Sequence, residues 1–393
     1  MSESFDIIIG GGAVMGSSVA YHLAAHPGFS GRVLVVDKDL SYQRAASALS
    51  LSSIRQQFST AINIKIGLYG ASFLRCAKET LAVGDIVPEL TFRENGYLYL
   101  AGESGAEILR ANHVAQSAEG ADIALLEPAV LAERFPFLCL DGVALGALGL
   151  KNEGWFDGYT LMQAFRRKAR SLGVVYREDE VTGLEREGGR VVAVRLKSGE
   201  RFACGAFVNA AGAAGAAELA EMLGVDIPVR RRKRSVFVFN AKERLGACPL
   251  VIDTTGVYVR PEGEGYICGV SPPEEDDPDC DDFDVVWRHF EEIIWPAMAT
   301  RIPAFEAIRP GRAWACHYDL NVFDHNAIVG RLGGLQNAYV AAGFSGHGMQ
   351  QSPAIGRGLA ELIVEGRYAT LDLAPFAFER IAANRPLLER NVI

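Results

Sequence analysis

The first forty residues constrain the fold more than any other stretch. Phe5–Ile9, apolar except for Asp6, reads as a buried strand that leads into Gly10-Gly11-Gly12-Ala13-Val14-Met15-Gly16. Runs of this kind mark strands of a parallel sheet covered on both faces. A helix is expected from Val14 to about Ala25, then a second buried strand over Arg32–Val36, ending at Asp37. Strand, glycine loop, helix, strand and terminal acid together predict a dinucleotide-binding β-α-β unit. The glycines let the backbone turn tightly and approach a pyrophosphate, and the helix N-terminus offers free N–H groups and partial positive charge. A glycine-rich turn with a capping acid is the plainer alternative.

The register of the loop departs from G-x-G-x-x-G. Counted from Gly10, the last glycine falls on Met15; counted from Gly11, the middle slot is Ala13 and the last is Gly16. Gly16, Ala20 and Leu23 share one helical stripe, which gives Gly16 the helix–sheet packing role and selects the Gly11 register. Gly10 then closes the strand. The cofactor-binding residues expected here are Gly11, Gly12, Ala13, Val14, Met15, Gly16, Asp37 and Lys38, with Ser47 from the following Ser-rich stretch. Asp37 would accept hydrogen bonds from the adenosine ribose, and an acid there disfavours a 2′-phosphate.

Bulk properties narrow the function class. The chain has 393 residues, enough for two domains, and 49% are apolar. Acidic residues outnumber basic ones 48 to 39, which argues against a general binder of nucleic acid or anionic membrane. Seven scattered cysteines with no C-x-x-C predict neither a disulfide framework nor a zinc site, and no metal site of another kind is expected. They suit a reducing compartment. The longest apolar runs are too short to span a bilayer, and a strand starting near Phe5 leaves no room for a targeting peptide, so a cytoplasmic location is expected.

Strand–glycine–helix junctions recur at "NAAGAAG" (209–215) and "GFSGHGM" (343–349), with antiparallel strand patterns between them. Helices are expected over Asp157–Gly173, Phe283–Met298 and Gln350 to Glu365, and a meander over Val174–Arg177, Thr182–Glu187 and Arg190–Lys197. The fold class is α/β, in two interleaved domains. Residues 1–85, 151–225 and 326–393 form the nucleotide-binding domain, and 86–150 and 226–325 an antiparallel-sheet substrate or cap domain.

Several long motifs resemble a known family. "AAGFSGHGMQQSPAIGRGLAEL" (341–362) is similar to the flavin-binding signature of the D-amino acid oxidase (DAO) superfamily, in its sarcosine oxidase-like branch. "SIRQQFS" (53–59), "AWACHYDLNVFDHNAIVG" (313–330) and the final "NVI" resemble a narrower group, the FAD-dependent oxidoreductase-domain proteins, whose mitochondrial member is linked to respiratory complex I assembly. The resemblance spans nearly the whole chain. It implies a glutathione reductase-type fold with a Rossmann-like FAD-binding domain. It also implies an FAD-dependent oxidoreductase that oxidises the C–N bond of a secondary amine or amino acid by hydride transfer to flavin N5, the imine then being hydrolysed.

The resemblance also implies site residues. In Gly343-Phe344-Ser345-Gly346-His347-Gly348-Met349-Gln350, the loop N–H groups and the dipole of the next helix would stabilise charge on reduced flavin. His347 is a candidate base, though a histidine fixing the loop is the simpler reading. Ala210 and Gly212 would form the second pyrophosphate approach, and Val181 would clamp adenine through its backbone. Cys316, two residues before Tyr318, stands where sarcosine oxidase relatives carry the flavin on an 8α-thioether; the narrower group commonly has glycine there. A covalent link and an incidental small residue both stay open. Arg55 would lie over the isoalloxazine ring, pairing with a substrate carboxylate or tuning the flavin, with an internal ion pair as the simpler use of an arginine. Gln350 and Phe58 replace the carboxylate-binding lysine and second arginine of sarcosine oxidase. Tyr258 and Tyr318 are expected as cavity walls and donors.

Ile267 stands where the oxidase branch has an oxygen-activating lysine, so dehydrogenase behaviour is expected. The basic run Arg230–Arg234 predicts a solvated strand edge with some charges near the active site rather than a nucleic-acid site, and "PPEEDDPDCDDFD" (272–284) a solvated acidic loop or a docking surface, without calcium spacing. The expected partners are an amine or amino-acid substrate and an electron acceptor or partner subunit. The rival function is a weakly catalytic flavoprotein serving as an assembly factor or a subunit of a larger dehydrogenase.

Overall fold

The computed structural model describes residues 3–390. The "NVI" ending lies outside them. Two mixed sheets organise the chain. The first runs in the order Ile328–Arg331, Ala338–Ala342, Arg201–Asn209, Ser4–Gly10, Val33–Asp37 and Val175–Glu178. Its five strands from Ala338–Ala342 to Val175–Glu178 are parallel, and Ile328–Arg331 pairs antiparallel at the edge. A hairpin of Val181–Glu187 and Arg190–Leu196 branches from Arg201–Asn209.

The apolar run at the start forms the central strand because both its faces are covered. Ile7 and Ile9 pack into a cluster with Leu161, Phe165, Ile355 and Leu359 of the Gly158–Ser171 and Gly348–Glu365 helices. Ile8 points the other way, to Leu34, Phe207 and Leu219. Asp157 caps the Gly158–Ser171 helix by accepting the Thr160 N–H at 2.8 Å.

The second sheet has eight strands, ordered Ile308–Asn321, Val229–Ala241, Gly265–Gly269, Tyr258–Glu262, Leu250–Ile252, Tyr97–Ala101, Leu145–Gly149 and Ile123–Leu126. All neighbours are antiparallel except Leu250–Ile252 with Tyr97–Ala101. Phe237, Phe239 and Tyr266 pack on Phe290, Ile294 and Phe305 on one face, and Val236 and Tyr258 look toward the first sheet across a cavity.

Three expectations are corrected. Val175–Glu178 is the parallel neighbour of Val33–Asp37, not a strand of the meander. The helix expected from Phe283 begins at Trp287, because 281–286 is irregular and held to the basic strand through Asp281, Asp282 and the Val286 N–H on the Ser235 hydroxyl. That strand is no solvated edge. Arg231 pairs with Asp281 and Glu218, Arg232 with Asp279, Lys233 with Asp282 and Arg234 with Asp277, so the basic run and the acidic loop neutralise each other. Among the described residues no cluster of His, Cys, Asp or Glu could hold a metal, and no helix is long and apolar enough to cross a membrane. All seven cysteines are free.

Candidate functional site

The parallel strands end at one cavity of about 460 Å³, walled on its far side by the second sheet. The glycine loop forms one end. Gly10 is the last residue of its strand and Gly11 has φ +96°. A Cβ on Gly11 would lie 2.4 Å from the Ala210 carbonyl oxygen, so the first loop and the 209–212 junction meet backbone to backbone. Ala210 donates its N–H to the Gly10 carbonyl at 2.8 Å. A Cβ on Gly16 would lie 1.8 Å from the Gly11 carbonyl oxygen, and one on Gly12 would lie 2.6 Å from the Tyr42 hydroxyl. The Val14–Ala25 helix is buried on nearly every side, so its apolar stripe does not by itself distinguish Gly16; the contact with Gly11 does.

Two helices aim their N-termini into this cavity with no cap from the side chain of the preceding residue, Val14–Ala25 after Ala13 and Gly348–Glu365 after His347. Each leaves unpaired N–H groups and partial positive charge where an anion can sit. The Ser47 hydroxyl takes the Val14 N–H at 3.2 Å. Asp37 receives the Gly12 N–H at 2.7 Å and the Asp39 N–H at 3.0 Å, and burial raises its carboxyl above the usual range despite those bonds. It still lines the cavity with lone pairs to spare. Lys38 reaches the Ala214 carbonyl at 3.2 Å, and Gly212 (φ +53°) turns the second junction.

The other end is built around the 343–350 loop. Asp319 accepts the Gly343 N–H at 2.9 Å and its carbonyl takes the Ser345 N–H at 3.1 Å; burial pushes its carboxyl up to about 6. Gly346 has φ +90°, and a Cβ there would strike the Tyr318 ring at 2.5 Å. Gln350 accepts the Arg55 backbone N–H on Oε1 at 2.9 Å, which fixes the orientation of its amide and leaves Nε2 without a partner among the described residues.

Arg55 is 6% exposed, and its guanidinium lies 4.6 Å from the Phe58 ring and 5.9 Å from those of Tyr97 and Tyr99. Its Nη2 donates to His347 Nε2 at 3.1 Å, so the imidazole proton sits on Nδ1. Burial, reinforced by Arg55, holds His347 neutral, well below the usual histidine range. The internal ion pair expected for Arg55 is absent: among the described residues no carboxylate comes within 4.0 Å of it, Nη1 has no partner, and Nε is buried with none.

Tyr258 and Tyr318 line the same end. Burial pushes the Tyr318 phenol up to about 12 and raises the Tyr258 phenol well above its usual range, so both remain protonated donors at neutral pH. The Cys316 thiol is also on the wall, pushed up to about 12 by burial with partial relief from Arg234, its cross-strand neighbour. Ile267 is buried between Val238 and Arg260, off the wall.

The cavity wall thus gathers Arg55, Tyr258, Tyr318, His347 and Gln350, together with Gly11, Ala13–Met15, Asp37, Lys38, Ser47, Ala210, Gly212, Cys316, Phe344–Gly346, Gly348 and Met349. Gly12, Gly16 and Gly343 stand behind it, shaping the loops. Val181 lies in the apolar cluster beneath the first sheet and does not reach the wall. Sequence reasoning missed Tyr97, Leu250 and Ile252 on the wall. It also missed Glu153, whose buried carboxylate takes the Gln56 N–H at 2.5 Å, the Gln57 N–H at 3.1 Å and Gln57 Nε2 at 2.8 Å. A lone glutamate about 96 residues from its partners leaves no pattern to find.

The sequence pattern of the DAO family, described as FAD dependent oxidoreductase, matches residues 6–362. The chain belongs to the DAO family. FAD-dependent oxidoreductase domain-containing protein 1 of Xenopus laevis is 41% identical over 425 residues, covering 100% of this chain and 85% of its own length. Sarcosine oxidase subunit beta of an Arthrobacter species is 26% identical, covering 96% of this chain and 91% of that protein. Among solved structures, L-proline dehydrogenase from P. horikoshii superposes with a TM-score of 0.86 at 25% identity, covering 98% of this chain and 100% of that one. The DAO fold accounts for both sheets and their interleaving. This DAO protein is an FAD-dependent oxidoreductase, and its cavity suits FAD: an acid at a strand end, a glycine loop pressed against a second junction and two helix N-termini lie along one continuous space.

Proposed function

We propose that the protein oxidises the C–N bond of a secondary amine or amino acid that carries a carboxylate, of the N-alkyl amino acid type. The observation that carries this reading is the unpaired cation of Arg55 at the cavity wall. A buried guanidinium with no carboxylate in direct contact is costly unless a ligand supplies one. Its open Nη1 and the free Nε2 of Gln350 offer two donors to such a group.

In this reading the glycine loop and Asp37 hold the adenosine and pyrophosphate, and the 343–350 loop holds the flavin. Bound FAD supplies a two-electron acceptor for the hydrogen on the carbon next to nitrogen. His347 accepts from Arg55 and orients it, so it is not assigned as the base. Tyr258 and Tyr318 wall the reacting end as neutral donors and keep water out. The first sheet serves as the FAD-binding part and the second as the substrate part.

Slow reaction with oxygen belongs to this reading as what the resemblance implies; Ile267, off the cavity wall, does not itself carry it. Stopped-flow mixing of the reduced protein with air tests this, and rapid reoxidation would defeat it. The main test is anaerobic bleaching of the flavin by a panel of N-alkyl amino acids. Bleaching by one member supports the proposal, and an inert flavin across the panel overturns it. The likeness to a sarcosine oxidase subunit favours a second reading, a subunit of a larger complex, for which an inert flavin and a co-purifying protein are the expected results.

A further inference from the structure

Arg55 sits on an irregular segment, so something must hold that backbone. Gln350 takes its N–H from one side. From the other side the next two N–H groups, of Gln56 and Gln57, converge on one carboxylate oxygen of Glu153, and Gln57 Nε2 binds the second oxygen. Glu153 is fully buried. Its place is built: Asn152 adopts φ +64° just before it, and a Cβ on Gly149 would lie 1.9 Å from its Oε2.

We propose that Glu153 is the positioning residue for Arg55, fixing the backbone that carries the guanidinium and supplying a buried counter-charge that a ligand anion takes over. The inference rests on the reading that Arg55 faces the flavin end of the cavity. Of the two carboxylates whose charge reaches Arg55, Glu153 acts more strongly than Glu389. The other titratable groups facing Glu153 are Tyr97 and Tyr99 on the neighbouring strand, both held neutral by burial. Burial pushes the Glu153 carboxyl up to about 7, offset in part by Gln57, Gln56 and Arg55. The clamp therefore changes charge in the neutral range. A glutamate that only filled space would give the cofactor no signal of that change.

The experiment uses the FAD-loaded protein and follows the visible spectrum of oxidised flavin from pH 5.5 to 8.5, where the oxidised ring itself does not titrate. The wild type should show a spectral transition centred near pH 7 that Glu153→Gln abolishes and Glu153→Asp displaces. A flat wild-type titration, or a transition that survives E153Q, overturns the proposal. If E153Q does not fold, an E153D midpoint equal to the wild type overturns it. Arg55→Gln separates the two layers. A spectrum unchanged by R55Q at fixed pH overturns the reading of Arg55 as well, whereas a shifted spectrum with no Glu153-linked transition overturns only the role of Glu153.

Discussion

Replacing Gly11 by alanine tests the loop register where it is tightest. The new methyl would lie 2.4 Å from the Ala210 carbonyl oxygen and 2.6 Å from the Ala211 Cα, both backbone atoms, at φ +96°. Left-handed backbone costs a non-glycine residue roughly 1–2 kcal/mol, and overpacking adds about 1–3 kcal/mol. The two junctions are tied by the Ala210 to Gly10 hydrogen bond, so the strain falls on the backbone proposed to hold the pyrophosphate. A total of roughly 2–5 kcal/mol predicts FAD binding weakened by at least about 30-fold. Gly10→Ala is the control. Its methyl meets only the ends of Leu219 (2.9 Å) and Phe207 (3.1 Å), side chains that can shift. That change should cost about 1 kcal/mol or less, within roughly fivefold in affinity. Fluorescence titration of apoprotein with FAD measures both. A larger loss for Gly10→Ala than for Gly11→Ala would refute the register.

Three further outcomes follow from other parts of the structure. The Arg234–Asp277 pair is buried and bidentate at 2.6 and 2.8 Å. Arg234→Gln should therefore destabilise the fold by about 3–5 kcal/mol in denaturant melts, and adding Asp277→Asn should recover part of it. For Asp319, burial raises the folded carboxyl from 3.8 to about 6, so the folded chain keeps a proton that the unfolded chain releases. Its stabilising contribution, of about 3 kcal/mol, is complete below pH 4 and is lost as pH rises through 6; Asp319→Asn should flatten that slope in thermal melts. The Cys316 thiol, pushed up to about 12, has little thiolate to offer a flavin methyl group. Acid precipitation should then leave the yellow colour in the supernatant, and a yellow pellet would show a covalent link.

The front β-α-β unit was legible because three local signals agree: a largely apolar strand run, adjacent glycines and an acid at the second strand end. The 343–349 loop was legible for the same reason, and its resemblance to flavoenzymes specified FAD. What stayed hidden depends on distant pairing. Val175–Glu178 has an exposed-looking sequence because it is a sheet edge, so its alternation suggested a meander. The basic and acidic runs each looked solvated, since nothing local says that Arg234 and Asp277 meet. The Glu103–Ala118 helix, mostly polar on its outer face, went unassigned. Arg55 was legible as a candidate and lies on the cavity wall, but its lack of a contacting carboxylate could be seen only once its surroundings were known.

The most direct test of the account compares two substrates that differ in one group. One is an N-methyl amino acid that bleaches the wild-type flavin, and the other is the matching N-methylamine without the carboxylate. Wild type should favour the acid in kcat/KM by roughly 100-fold or more, from a buried charge pair of about 3 kcal/mol or above. Arg55→Gln should bring that ratio close to one by weakening only the acid. A ratio that Arg55→Gln leaves unchanged would contradict the claim that this cation receives the substrate's carboxylate.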